Sequence, residues 1–178
     1  MEITMVLNAI KGDEAAFEFL IKQESNKMYR TAFLYVRNKD DALDIVQETV
    51  LKAYHSIHHL KKPEYFSTWL MKILIRTAFR TLEQQKKWKV LDNETLENLL
   101  EQKIPEVTQN IDLVDALSNL DVKYQTAIIL FYYHDLPIHK ISVMMDKPEG
   151  TVKTYLRRAK MELKKILEGE SHYEQRLV

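Results

Sequence analysis

Three histidines, His55, His58 and His59, stand at a spacing that could bring their ring nitrogens together on one helical turn, and imidazole is a common metal ligand. No carboxylate or fourth ligand follows at a fitting spacing, so no metal site is expected. Neither a glycine-rich phosphate loop nor a nucleophile motif occurs, so no catalytic residue and no cofactor are expected. The remaining patterns are of charge. Lys153, Arg157, Lys160 and Lys164 recur at i, i+4, i+7 and i+11, flanked by Thr154 and Arg158. Such a stripe on a helix can meet phosphates and guanine edges. Trp69, Lys72, Arg76 and Arg80 recur at i, i+3, i+7 and i+11 beside Tyr65 and Phe66. Rings interleaved with cations suit single-stranded DNA, where bases stack and phosphates are neutralised. Asp40, Asp44 and Glu48, with Asp41 and Gln47 beside them, form an acidic stripe that would face solvent or a basic protein.

Each stripe has a plainer reading. The basic one is also what a solvated helix with a Lys/Arg-rich face looks like, although the pattern leans toward DNA. For the aromatic one, the residues alone favour Trp69 and Phe66 as core, with the cations solvating the helix.

The elements that must carry these stripes are helical, and no convincing alternating strand occurs. Asp13 can cap a helix holding Ala16, Phe17, Leu20 and Ile21. A further helix holds Met28, Ala32, Phe33 and Val36, with Asn38 ending it. The next begins at Asp40 or Asp41 and turns Ala42, Ile45, Val46, Thr49, Ala53 and Tyr54 inward. After a loop with Pro63, a helix from about Tyr65 to Gln85 puts Phe66, Leu70, Ile73, Leu74, Thr77 and Ala78 on one face. Residues 86–110 read as an acidic, polar linker with room for a helical turn at Leu96, Leu99 and Leu100. A second cluster follows: Asp112–Leu120, Lys123–His134, Ile138–Met145 and about Glu149–Leu167. Ile138, Ile141 and Met145 form a short apolar face, Asp146 to Gly150 a bend, and Val152, Leu156, Ala159, Leu163 and Ile166 the inner side of the long helix. A short helix, a tight turn and a basic second helix make a helix-turn-helix, whose second helix enters the major groove.

Composition agrees with an all-α chain of two small domains, 1–85 and 111–178, joined by the 86–110 linker. It is 46% apolar with 3 Gly, 4 Pro and no Cys, which suits packed helices and excludes disulfides and thiolate metal sites. The longest apolar run, Ala127 to Tyr133, is far short of the roughly 20 residues of a membrane span. No secretion signal is visible at the N-terminus, and a cytoplasmic protein without direct membrane insertion is expected. The net charge is zero, but it is unevenly spread. Residues 1–90 carry 15 Lys+Arg against 11 Asp+Glu, residues 91–120 carry 1 against 7, and residues 147–165 carry 7 against 2. Two basic blocks flank an acidic one.

Three stretches, in this order, resemble a known family. Asp41-Ala-Leu-Asp-Ile-Val-Gln-Glu-Thr-Val-Leu-Lys-Ala-Tyr54 resembles the region 2 polymerase-binding helix of extracytoplasmic-function (ECF) sigma factors, within the sigma-70 family. Phe66-Ser-Thr-Trp-Leu-Met-Lys-Ile73 is similar to their next helix. Gly150-Thr-Val-Lys-Thr-Tyr-Leu-Arg-Arg-Ala-Lys160 resembles their region 4 recognition helix. Together they reverse the plainer reading of the aromatic helix. The resemblance implies a bacterial transcription-initiation factor with region 2 and region 4 as its two modules. Asp41, Asp44, Gln47 and Glu48 would dock on the β′ clamp helices of core RNA polymerase, and the β flap would be a further polymerase contact. The loop with His58, His59, Lys61 and Lys62, then Tyr65, Phe66, Trp69, Lys72, Arg76 and Arg80, would read and melt the minus-ten element of promoter DNA. Thr151, Lys153, Thr154, Tyr155, Arg157 and Arg158 would read the minus-35 element. A cognate anti-sigma factor, often membrane-bound in the family, would mask both modules. Arg76 and Arg80 stand where the family often has Asn and Asp, and Tyr155 replaces a frequent Arg. The rival is a stand-alone helix-turn-helix regulator.

Overall fold

The computed structural model describes residues 3–96 and 113–174, with side chains described for 3–85 and 113–168. Among the described residues every regular element is helical. The chain divides into two compact units, Met1–Thr81 and Leu82–Val178.

In the first unit, α1 (Ile3–Ile10) buries Val6 and Ala9. Gly12, at φ +98°, makes the turn that a Cβ would strain, and Asp13 then caps α2 by accepting from the Ala16 N–H at 3.0 Å. α2 runs unbroken from Glu14 to Val36, where two helices were expected. The polar stretch Lys22–Lys27 holds no helix breaker, and the Ser25 hydroxyl donates back to the Lys22 carbonyl. Asn38 does not end this helix either. Arg37 does, in the left-handed region at φ 54°, and Asn38 caps α3 (Lys39–Ser56) by accepting from the Asp40 and Asp41 N–H groups at 2.8 and 3.1 Å. Both aspartates then sit in the positive first turn of the helix.

α3 buries Ala42, Ile45, Thr49 and Ala53 against α2. Tyr54, expected inside, is 43% exposed. Its ring packs edge-on to Phe17 at 5.3 Å and its hydroxyl donates to Glu14 Oε1 at 2.9 Å. Short 3₁₀ turns at Ile57–His59 and Pro63–Tyr65 lead into α4, which begins at Phe66 and continues to Leu96. Leu96 is thus helical, while the expected turn at Leu99 and Leu100 lies outside the described residues. Phe66, Leu70, Met71, Leu74, Ile75 and Ala78 complete the core, with Ile73 at its margin.

In the second unit, α5 is Leu113–Ser118 and α6 is Val122–Ile128, capped by Asp121. The α-helix expected to reach His134 instead widens into a π-helical segment, Ile129–Tyr133. Its closing bond runs from the His134 N–H to the Ile129 carbonyl, 3.1 Å. α7 (Ile138–Met145) and α8 (Glu149–Glu174) pack on each other, and α6 packs on α8. On α7 the inner residues are Ile141 and Met144, whereas Met145 is half-buried. Between α7 and α8, Asp146 takes the left-handed region at φ 53° and the Pro148 carbonyl accepts from the Thr151 and Val152 N–H groups. Val152, Leu156, Ala159 and Leu163 face inward, so the cations of α8 are turned out.

Candidate nucleic-acid interface

Three surfaces emerge. On α3, Asp40, Asp44 and Gln47 are exposed, while Asp41 and Glu48 are half-buried. Glu48 is tied inward: its carboxylate meets Lys52 Nζ at 2.7 Å, and the same ammonium donates to Thr77 Oγ1 on α4 at 3.0 Å. The stripe therefore has an open edge at Asp44 and Gln47 and a braced one at Glu48.

The second surface follows in the chain. His58, His59, Lys61, Lys62 and Tyr65 are all exposed on the loop between α3 and α4. Lys62 Nζ lies 5.8 Å from the Tyr65 ring centroid, close enough for a cation–π contact, and the His58 and His59 rings lie 3.9 Å apart, tilted by 48°. Among the described residues no group of three His, Cys, Asp or Glu side chains could hold a metal. On α4, Arg76 and Arg80 are exposed and Trp69 and Lys72 half-buried. Phe66 keeps the inner face that its helical spacing predicts: at 1% exposure it is core, and so is not open to DNA as the resemblance implied. Its ring lies 5.9 Å from that of Trp69, tilted by 41°.

A residue absent from the expected set anchors this surface. Glu24 of α2 is buried and accepts from Ser67 Oγ at 2.7 Å, fixing the first turn of α4. Its position continues the buried spacing of Phe17, Leu20, Met28 and Thr31, which is the sequence signal that could have found it.

The third surface is α8. Lys153, Arg157, Arg158, Lys160, Lys164 and Lys165 are exposed, and Thr151, Thr154 and Tyr155 are half-buried. Thr154 gives its hydroxyl proton back to the Gly150 carbonyl at 2.9 Å. Tyr155 packs edge-on to Tyr124 of α6 at 5.6 Å, and Arg158 Nη1 donates to the Tyr124 hydroxyl at 3.2 Å. That bond holds the guanidinium above the usual arginine range, with Glu162 adding a smaller attraction. A cationic helix placed second after a tight left-handed turn is built to enter a groove of duplex DNA.

Comparison with known proteins decides the identity of this arrangement. Residues 20–87 match Sigma-70 region 2, and residues 111–163 match Sigma-70, region 4. The RNA polymerase sigma factor SigV of Bacillus subtilis (strain 168) is 43% identical over 139 residues, covering 78% of this chain and 83% of its own length. This chain is a sigma factor of the sigma-70 family, of the extracytoplasmic-function type. The ECF RNA polymerase sigma factor SigW of the same organism is 28% identical, covering 88% of this chain and 91% of its own length. In fold, the sigma factor resembles RpoE from Bartonella quintana, solved in complex with the anti-sigma factor NepR. The TM-score is 0.68 at 21% identity, covering 85% of this chain and 96% of that one. Region 2 of the sigma factor thus runs from within α2 to residue 87 of α4, taking in the acidic face and the loop, and region 4 runs from α5 to residue 163 of α8.

Proposed function

We infer that this sigma factor binds core RNA polymerase, directs it to specific promoters and promotes transcription initiation. What carries this is that regions 2 and 4 occur in order, one on each basic block of the chain. A stand-alone helix-turn-helix regulator would need only the second. The protein acts as a binding factor and not as an enzyme, in the cytoplasm with the polymerase. No helix among the described residues is long and apolar enough to cross a membrane.

The assignment of surfaces is part of the same proposal. Asp44 and Gln47, backed by Asp41 and Glu48, dock on the β′ clamp helices, and region 4 meets the β flap. His58, His59, Lys61, Lys62, Tyr65, Trp69, Lys72, Arg76 and Arg80 meet the minus-ten element. Extruding a base costs a few kcal/mol in lost stacking, which ring and phosphate contacts offset. Thr151, Lys153, Thr154, Tyr155, Arg157 and Arg158 present the face for the minus-35 element. The inhibitory partner is a cognate anti-sigma factor, by likeness to the fold captured with NepR. Run-off transcription from genomic fragments with B. subtilis core polymerase, with and without the protein, tests the activity. New start sites appear only with the protein present; an unchanged transcript set would refute the reading.

A further inference from the structure

Arg158 differs from Lys153 and Lys160 of α8 in where it lies and what it touches. With Val152, Leu156, Ala159 and Leu163 inward, the 100° step per residue puts Lys153 and Lys160 on one flank of the exposed face. Arg158 falls on the other flank, beside Tyr155. There its Nη1 donates to the Tyr124 hydroxyl at 3.2 Å. Tyr124 is itself fixed: it is 7% exposed, and the Tyr155 ring meets it edge-on at 5.6 Å and 69°. Lys123 Nζ lies 5.0 Å from the Tyr124 ring centroid.

An arginine on an open helix face samples many rotamers, and freezing them on binding opposes association. A guanidinium already held by one N–H loses less freedom, and the fork has five donors, so those left over can still pair with guanine O6 and N7. We propose that Tyr124 is a positioning residue: its phenol, packed against Tyr155, holds the Arg158 guanidinium ready for base reading by α8. This rests on the reading of α8 as the minus-35 sensor. It also gives the tyrosine at 155 a task, since its ring braces the Tyr124 ring edge-on at 5.6 Å beside Arg158.

The test uses holoenzyme reconstituted with the full chain. A duplex library randomised over the upstream and minus-ten elements is selected on it. The enriched duplex then serves as probe, against the same duplex with its upstream element scrambled. Arg158→Ala lowers discrimination at the base pairs it reads. Tyr124→Phe keeps the ring and lowers discrimination at those same base pairs by about two- to tenfold. It leaves the salt slope unchanged, because no phosphate contact is lost. In the Arg158→Ala background it adds nothing. If Arg158→Ala leaves discrimination intact, the sensor reading fails and the positioning role with it. If Arg158→Ala lowers it while Tyr124→Phe does not, or if the two losses add, only the positioning role is overturned. A fall of more than about 4 °C in the thermal midpoint of Tyr124→Phe would make the phenol a structural prop and also overturn it.

Discussion

At the scale of single residues, the acidic face separates into groups with different duties. Asp44 is exposed, whereas Glu48 holds Lys52, which in turn reaches Thr77 on α4. Reversing Glu48 would set two cations four residues apart and costs about 0.2–0.5 kcal/mol in the helix alone. Asp44→Lys is therefore the cleaner probe. It is expected to weaken core-polymerase binding in a titration while helicity stays normal, and unchanged affinity would remove Asp44 from the interface. Tyr54 gives a second prediction. Its phenol donates to Glu14, and that bond, with the carboxylate's charge, raises its pKa above the ordinary tyrosine value. With the folded value raised, the bond is fully present below the ordinary pKa and is lost as pH rises through the higher one. Alkaline titration of phenolate absorbance should show a late-ionising tyrosine that Tyr54→Phe removes and Glu14→Gln returns toward the ordinary range. The inward placement of Tyr54 failed because a tyrosine at the margin of an apolar face can turn its polar end to a carboxylate forty residues away. Glu24 errs in the opposite direction: a charged residue reads as surface, yet its place in the buried spacing and the Ser67 hydroxyl put it inside.

At the scale of elements, the helices that carry the stripes were legible because apolar spacing alone sets their inner faces. Val152, Leu156, Ala159 and Leu163 are buried as their period requires, and the cations of α8 follow outward from that. Ends and irregularities were less legible. Asn38 fits equally as a helix stop and as a cap for the next helix, and only the left-handed backbone of Arg37 decides between them. The π-helical turn at Ile129–Tyr133 leaves no local signature in the residues that form it. Two changes test these elements. Asn38→Ala removes the acceptor of two N–H groups and is expected to cost about 1 kcal/mol in denaturant unfolding. A cost near zero would mean that water replaces the cap. Leu156→Ala opens a cavity under α8 and is expected to cost about 2–5 kcal/mol, because Leu156 is 7% exposed and its neighbours can collapse only in part. Full stability of this variant would mean that α8 is rotated from its assigned face.

At the scale of the whole molecule, zero net charge hides a division of labour. Residues 1–90 are net +4, residues 91–120 net −6 and residues 121–178 net +2. Long-range attraction to DNA is therefore weak, and the polymerase supplies the encounter before the basic faces act at short range. This order of events makes binding to the enzyme and opening of the promoter separable. The proposed opening surface combines Lys61 and Lys62 on the loop with Arg76 on α4, all exposed and none part of the α3 face. Replacing all three with Ala removes cations but no buried side chain, so region 2 stays folded and its hold on core polymerase stays intact. The triple variant is expected to form holoenzyme normally and still to bind duplex promoter through region 4. Its loss falls on the single-stranded state, where phosphate contacts would have offset the unstacked bases. Permanganate reactivity of thymines in the minus-ten region then reports the defect: it drops in the triple variant, while retention of the closed complex changes little. Excess core polymerase should rescue Asp44→Lys, whose defect is affinity, and should not rescue the triple variant. If permanganate reactivity matches the wild-type level, the loop and α4 are not the melting surface, and the cations there only keep the helix in solvent.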